Sequence, residues 1–242
     1  MSAGVVVALD CAEHTERTVR EAARVAARIG AELEALLVED EALLALAAHP
    51  FARRIGAGGE ARSFDAPDLE REWRDVEKQA RAALEREAGR GDVPVRLVVE
   101  RGRSERAIRA RLERGDLVVV GWGGWSPRAR RAAPIRVLYD GGEAAEHALE
   151  VGVRLAGPTG QLAVWWVGTT EGVLEAARAR LAGRVGSLRL APIDDPSVRV
   201  IRHVLAARPG GLLVVPADSE VAEALAARSV EARFAAGVLV VR

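Results

Sequence analysis

The chain is short of several residue types, and each shortage removes a class of protein. One cysteine, Cys11, leaves no intramolecular disulfide framework and no multi-cysteine zinc site. Its lone setting, with no Cys-x-x-Cys partner, favours a structural thiol. Lys78 is the sole lysine, and no glycine-rich turn precedes it, so a P-loop is excluded. The four histidines, His14, His49, His147 and His203, form no close ligand motif, and no metal site is expected. No apolar run reaches the roughly 18 residues of a membrane span. The start of the sequence lacks the basic and long apolar segments of a secretory signal, so a cytoplasmic protein with no membrane partner is the expectation. Net charge is absent too. The 35 basic and 35 acidic side chains cancel, which argues against a general nucleic-acid binder. Ser-x-x-Lys, His-Glu-x-x-His and Gly-x-Ser-x-Gly motifs are all missing, so a dedicated enzyme is not expected and no catalytic residue is assigned.

What is present is a long alternation of apolar runs and amphipathic stretches. With 49 % hydrophobic residues over 242, the chain supports a packed core in one large or two modest domains. Strands are expected at 5–10, 31–38, 93–99 and 116–120, then at 134–139, 161–167, 187–193, 212–215 and 238–241. Helices are expected between them. One starts at a Thr18/Glu21 capping box and ends at Gly30, and one spans 68–88 with a Leu69, Trp73, Val76, Ala80 and Leu84 stripe. Another is capped by Ser104, and others cover 144–156, 171–181, 198–207 and 220–227. Glu32 and Glu34 suggest partial exposure of the second strand, and Arg101 through Arg114 read as a charged helix surface. Residues 41–67 carry one short helical stretch and turns. Alternating strands and helices imply an α/β fold with mainly parallel pairing.

The pattern restarts. At an offset of 130, Val7 matches Val137, Asp10 matches Asp140, Glu13 matches Glu143 and Gly30 matches Gly160. Two related units follow, 1–124 and 134–242, joined by a linker at 125–133 whose Arg128, Arg130 and Arg131 suit a solvated connection. The first unit has no evident fifth strand, so its sheet edge needs a cover. We expect two similar lobes packed around an approximate two-fold axis. The last strand should pair chiefly beside 212–215, and further self-association could form a homodimer.

Val7-Ala8-Leu9-Asp10, Val38-Glu39-Asp40, Asp116 through Gly121, Val137-Leu138-Tyr139-Asp140 and Gly237 through Arg242, in that order and repeated, resemble a tandem universal stress protein. The resemblance covers nearly the whole chain, least clearly 41–90. It implies two adenine-nucleotide alpha-hydrolase-like (Rossmann-like) open parallel-sheet domains, frequent dimerisation, and a stress-associated regulatory or protein-interaction role. Some members bind ATP through Gly-x-x-Gly, nine residues, then Gly-Ser or Gly-Thr. Gly121-Trp122-Gly123-Gly124 supplies the first half, but Pro134-Ile135 stand where the second half belongs. The alternative function implied is therefore an ATP-with-Mg switch, at most a slow hydrolase, in the first unit. By resemblance Asp10 would meet ribose or a cation-bound phosphate, Val38 would border adenine, Gly121 and Gly124 would approach phosphate, and Ser126 would add a hydroxyl. In the second unit Pro216-Ala217-Asp218-Ser219 replaces the glycine loop, and Asp218 would repel phosphate.

Each of these residues also has a plain structural reading. Asp10 and Asp140 stand at strand ends, where open parallel sheets place ligands, yet either could cap a helix or hold a turn. Trp122 and Trp125 flank the glycine loop and could stack on adenine. Trp165 and Trp166, adjacent on one strand, must point to opposite sheet faces, and Trp73 should anchor the long helix.

Overall fold

The computed structural model describes residues 4–9, 15–55, 59–91, 93–120, 134–168, 175, 178–207, 210–226 and 236–242. All nine expected strands are present, as β1 (Val5–Leu9), β2 (Leu33–Asp40), β5 (Val95–Gly102), β6 (Leu117–Val120), β7 (Ile135–Tyr139), β8 (Gln161–Val167), β9 (Ser187–Ile193), β10 (Leu212–Pro216) and β11 (Gly237–Val241). The helices are α1 (Thr15–Ile29), α2 (Glu41–Ala47), α3 (Ala66–Ala88), α4 (Ser104–Glu113), α5 (Glu143–Ala156), α6 (Val198–Ala207) and α7 (Glu220–Ala226). The helix expected over 171–181 lies mostly outside the described residues. A short hairpin of β3 (Arg53–Ile55) and β4 (Ala61–Ser63) stands in the stretch where the sequence offers only turns.

The nine long strands form one sheet, ordered β5-β2-β1-β6-β11-β10-β7-β8-β9. Each half repeats one pattern outward from the centre, and every neighbouring pair is parallel except one. The exception is the seam, where β11 runs antiparallel to β6, with Val238 opposite Val120 and Val240 opposite Val118. This corrects the picture of two separate lobes. β11 does pair beside β10 as expected, but its other edge supplies hydrogen bonds to the uncovered edge of β6. Unpaired strand-edge groups in an apolar setting are costly, so the cover for the short first half is the other half's last strand. The 125–133 linker lies outside the described residues.

Alternation along each strand divides the side chains between two faces. Val7, Leu37, Val119, Val137 and Leu239 pack under α1, α3 and α5. Val6, Leu36, Val118, Leu213 and Val240 pack under α4, α6 and α7. Both layers therefore cross the seam. Trp166 joins the first layer and Trp165 the second, as the strand period requires. Trp73 is buried on α3 beside Leu69, Val76, Ala80 and Leu84, the expected stripe. On the first face α1 and α5 clasp each other across the pseudo-symmetry axis. Arg28 Nη1 donates to the Leu155 carbonyl at 2.5 Å, and Arg154 Nη2 donates to the Ile29 carbonyl at 2.8 Å. Each guanidinium thereby satisfies a carbonyl that helix geometry leaves without an intrahelical partner.

Several local readings change. Helix α1 starts a turn earlier than the Thr18/Glu21 box, so both residues are buried inside it. Ser104 is the first helical residue of α4 and not its cap, and its Oγ donates to Asp40 at 2.7 Å. Gly30 and Gly160 match in position but not in role. Gly30 ends α1 at φ +66°, whereas α5 ends at Gly157 at φ +67°, and a Cβ at Gly160 would sit 2.0 Å from the Ala156 carbonyl oxygen. Glu34 is buried instead of half exposed, and Arg111 is buried instead of on a charged surface. Glu34 accepts from Arg111 Nε at 3.0 Å and from Arg96 Nη2 at 2.6 Å, while Arg111 also grips Glu100 with both terminal nitrogens. Two guanidiniums therefore meet the buried Glu34 carboxylate and satisfy its oxygens.

Candidate functional site

Open α/β sheets bind ligands beyond the carboxyl ends of strands, where the strand order reverses. The sheet has two such points, β1/β6 in the first half and β7/β10 in the second. At the first, β1 and β6 leave the sheet side by side, ending at Leu9 and Val120. Asp10, Gly121, Gly124 and Ser126, with Trp122 and Trp125, lie outside the described residues. Val38 is described. It lies on β2 in the α4-facing core with Leu36 and Ile108, only 4 % exposed. The neighbouring Asp40 is structural: its carboxylate accepts from Ala42 N at the start of α2 and from Ser104 N and Oγ. Burial pushes the Asp40 carboxyl up, but the hydrogen bonds from Ser104 and the Ala42 amide outweigh it and hold the group below its ordinary value.

The second switch point opens into a cleft of about 960 Å³. Its walls come from both halves. From the first, α4 brings Arg109, Leu112 and Glu113. From the second come Glu143, Ala144 and His147 on α5, Ala217 and Asp218 after β10, and Ala222, Glu223 and Ala226 on α7. Arg242, just past β11, completes it. The antiparallel seam creates this meeting. It lays the end of β11 beside the start of β6, and α4 leads directly into β6. The buried part of the lining is apolar, with Leu112, Ala222 and Ala226, and the charged part carries Glu113, Glu143, Asp218 and Glu223 together with Arg109 and Arg242. None of these four carboxylates forms an ion pair among the described residues, whereas Glu16, Glu34, Glu100, Glu146 and Glu150 each have an arginine partner. Arg109 is drawn to Glu105 at 3.4 Å, and Arg242 Nη1 donates to the Glu113 carbonyl at 3.3 Å. The His147 ring contacts the Arg242 backbone oxygen through Nδ1.

The turn entering the cleft is held by Asp140, whose Oδ1 accepts from Gly142 N at 2.9 Å while Gly141 takes φ +88°. The turn-holding reading of Asp140 is realised in this hydrogen bond. After β10, Ser219 Oγ donates to the Pro216 carbonyl at 2.6 Å and accepts from Ala222 N at 3.2 Å, setting the start of α7. Behind the turn, Tyr139 donates to Glu146, which is also paired with Arg180 at 2.6 Å. Arg180 and Arg184 both reach Glu150, and the Arg184 hydrogen bond holds the Glu150 carboxyl below its ordinary value.

Burial, then the bond to Glu146, push the Tyr139 phenol up to about 12. A phenolate there would lose solvent and face the Glu146 carboxylate. Tyr139 is the only tyrosine in the chain, so the absorbance of tyrosinate reports this group alone. The expected titration midpoint lies near 12 instead of the ordinary value of about 10. The sign follows from proton counting. Between the two values the folded state holds the proton and the unfolded state has lost it, so stability falls as pH rises through this window. Tyr139→Phe should remove that fall. A midpoint at the ordinary value would show that the phenol is not held by Glu146.

Sequence reasoning flagged Asp218 as hostile to phosphate but missed Glu113, Glu143, His147, Glu223, Arg109 and Arg242 as one site. No local motif links them, because α4 and α7 are brought together by the long-range pairing of β6 with β11. Among the described residues, no group of three or more His, Cys, Asp or Glu side chains is arranged to hold a metal ion. Nor is any helix among them long and apolar enough to cross a membrane. No protein-family model matches the chain, and no curated protein matches it.

Proposed function

We propose that this chain is a tandem universal stress protein acting as a stress-associated regulator. It works by seating a polypeptide segment in the second-half cleft, and not as a dedicated enzyme. The observation that carries the reading is the cleft itself: apolar residues surrounded by four carboxylates that have no ion pair among the described residues, with Arg109 and Arg242 beside them, at the place where open α/β sheets take ligands. Carboxylates repel phosphate, so a nucleotide is a poor occupant. A segment with apolar and cationic side chains satisfies the apolar residues and the carboxylates together. Its volume lies at the upper end of the roughly 300–1,000 Å³ of small-molecule pockets. The resemblance to two adenine-nucleotide alpha-hydrolase-like units is supported by the repeated strand order on either side of the seam.

The test uses cells lacking the gene, challenged by starvation or oxidant. Restoring the wild-type gene is expected to restore survival. An Asp218→Arg, Glu223→Arg double variant with unchanged melting should not. Full rescue by that variant would remove the cleft from the function.

A second reading is ATP with Mg in the first half. The observation favouring it is that β1 and β6 end side by side, immediately before Asp10 and Gly121 in sequence. Calorimetry with ATP and Mg²⁺ decides it, since no heat at millimolar nucleotide removes that reading.

A further inference from the structure

The charge inside the second-half cleft is of both signs, and its arrangement follows the elements. Arg109 belongs to α4, and Arg242 joins the end of that helix by donating from Nη1 to the Glu113 carbonyl. Glu143 belongs to α5, Glu223 to α7, and Asp218 to the turn before α7. Both cations therefore belong to the α4 wall, and three of the four carboxylates belong to the wall of α5 and α7. Glu113, the last residue of α4, is the exception.

Elsewhere on the surface, neighbouring elements join their opposite charges. Arg86 of α3 holds Glu16 of α1, and Arg184 holds Glu150 of α5. In the cleft they stay apart. Among the described residues, neither Arg109 nor Arg242 forms an ion pair with any of the four cleft carboxylates. Arg109 meets only Glu105, four residues earlier on its own helix, at 3.4 Å and with both side chains exposed. Exposed pairs of this spacing are weak, so Arg109 readily changes partner. Arg242 spends one nitrogen on a neutral carbonyl at 3.3 Å, which leaves most of a five-donor guanidinium for another acceptor. Leu112 of α4 and Ala222 of α7 pack in one buried apolar layer, so the oppositely charged walls share an apolar base. A segment carrying only cations would satisfy the α5 and α7 wall and set like charge against Arg109 and Arg242.

Resting on the reading of the cleft as a polypeptide site, we infer that the segment it takes is of mixed charge. An acidic side chain pairs with Arg109 and Arg242, apolar side chains cover Leu112 and Ala222, and a basic side chain pairs with Asp218 and Glu223. The carboxylates alone would accept any cationic segment. The two guanidiniums, whose planar forks suit a carboxylate, make the choice among them.

Fluorescence anisotropy with the full chain and labelled peptides of one length tests this. All peptides share a centre of alternating leucine and alanine. Two carry glutamates at one end and lysines at the other, in the two possible orders, a third carries lysines at both ends, and a fourth carries serines at both. Wild type is expected to bind one mixed-charge peptide about tenfold or more tighter than the all-lysine and all-serine peptides. Arg109→Glu with Arg242→Glu changes only exposed side chains and should move the preference to the all-lysine peptide. Asp218→Arg with Glu223→Arg should cost the mixed-charge peptide its tight binding. Equal or tighter binding of the all-lysine peptide by wild type overturns the inference, as does a mixed-charge preference that survives reversal of both arginines. No binding of any peptide at millimolar concentration overturns it too. The stress-survival assay separates this outcome from failure of the reading beneath it. If Arg109→Glu with Arg242→Glu restores survival in full and Asp218→Arg with Glu223→Arg does not, the cleft reading stands and only the mixed-charge specificity falls.

Discussion

Replacing Glu34 with alanine is expected to lower the free energy of unfolding by about 3–5 kcal/mol. Glu34 and Arg111 are both only 5 % exposed, and they meet at 3.0 Å between β2 and α4. Removing the carboxylate leaves the Arg111 guanidinium buried with Glu100 alone, and frees Arg96 from the sheet edge. Taking out both members is gentler. Glu34→Leu with Arg111→Met should cost less than Glu34→Ala alone, because no buried guanidinium is left short of a partner. Urea unfolding of wild type, Glu34→Leu, Arg111→Met and the double variant checks the coupling, and additive losses would mean that the pair is not coupled. The acid limb gives an independent reading. The hydrogen bond from Arg111 holds the Glu100 carboxyl below its ordinary value, more than burial raises it. Its contribution is therefore present above the unfolded carboxylate value of about 4.3 and is lost as pH falls through the depressed folded value. Variants lacking Arg111 should show a flatter acid limb.

That network also marks where sequence reading stopped. Runs such as Val5–Leu9 and Leu212–Pro216 announce buried strands by composition alone, and the Leu69-to-Leu84 stripe announces α3 by its period. Glu34 sits inside a strand of the same kind, and its period predicts only which face it occupies. That it is buried depends on Arg111, 77 residues away. The same limit hid the cleft. Repetition of strand, helix and glycine made the two halves visible, and the missing fifth strand made an uncovered edge visible. Which strand covers that edge, and in which direction, is a matter of long-range pairing, and the cleft walls follow from it. Of the residues singled out from the glycine-loop resemblance, Val38 alone falls among those described, and it is part of the core. The hairpin escaped notice for a different reason. Its strands are three residues long and exposed throughout, so no apolar alternation signals them.

Leu239→Ala tests the seam. Leu239 is fully buried in β11, opposite Val119 of β6 and paired with Val214 of β10, so it touches both halves of the sheet. Truncating a leucine in such a site costs about 2–5 kcal/mol, the transfer loss plus the cavity left behind. The informative part is where the loss is felt. The layer under α1, α3 and α5 runs without a break from Val7 and Leu37 through Val119 and Leu239 to Val137 and Val164. With the sheet and both side-chain layers continuous across β6 and β11, the halves should unfold as one cooperative unit. Hydrogen exchange then has a definite expectation: amides of β2, far to one side, and of β8, far to the other, should lose protection by the same amount. Two independent lobes joined by a linker would instead lose it in the second half alone, leaving β2 at its wild-type value. Equal loss in β2 and β8 would establish the antiparallel seam as the element that makes the two repeats one folding unit, and with it the strand pairing that brings α4 to the second-half cleft.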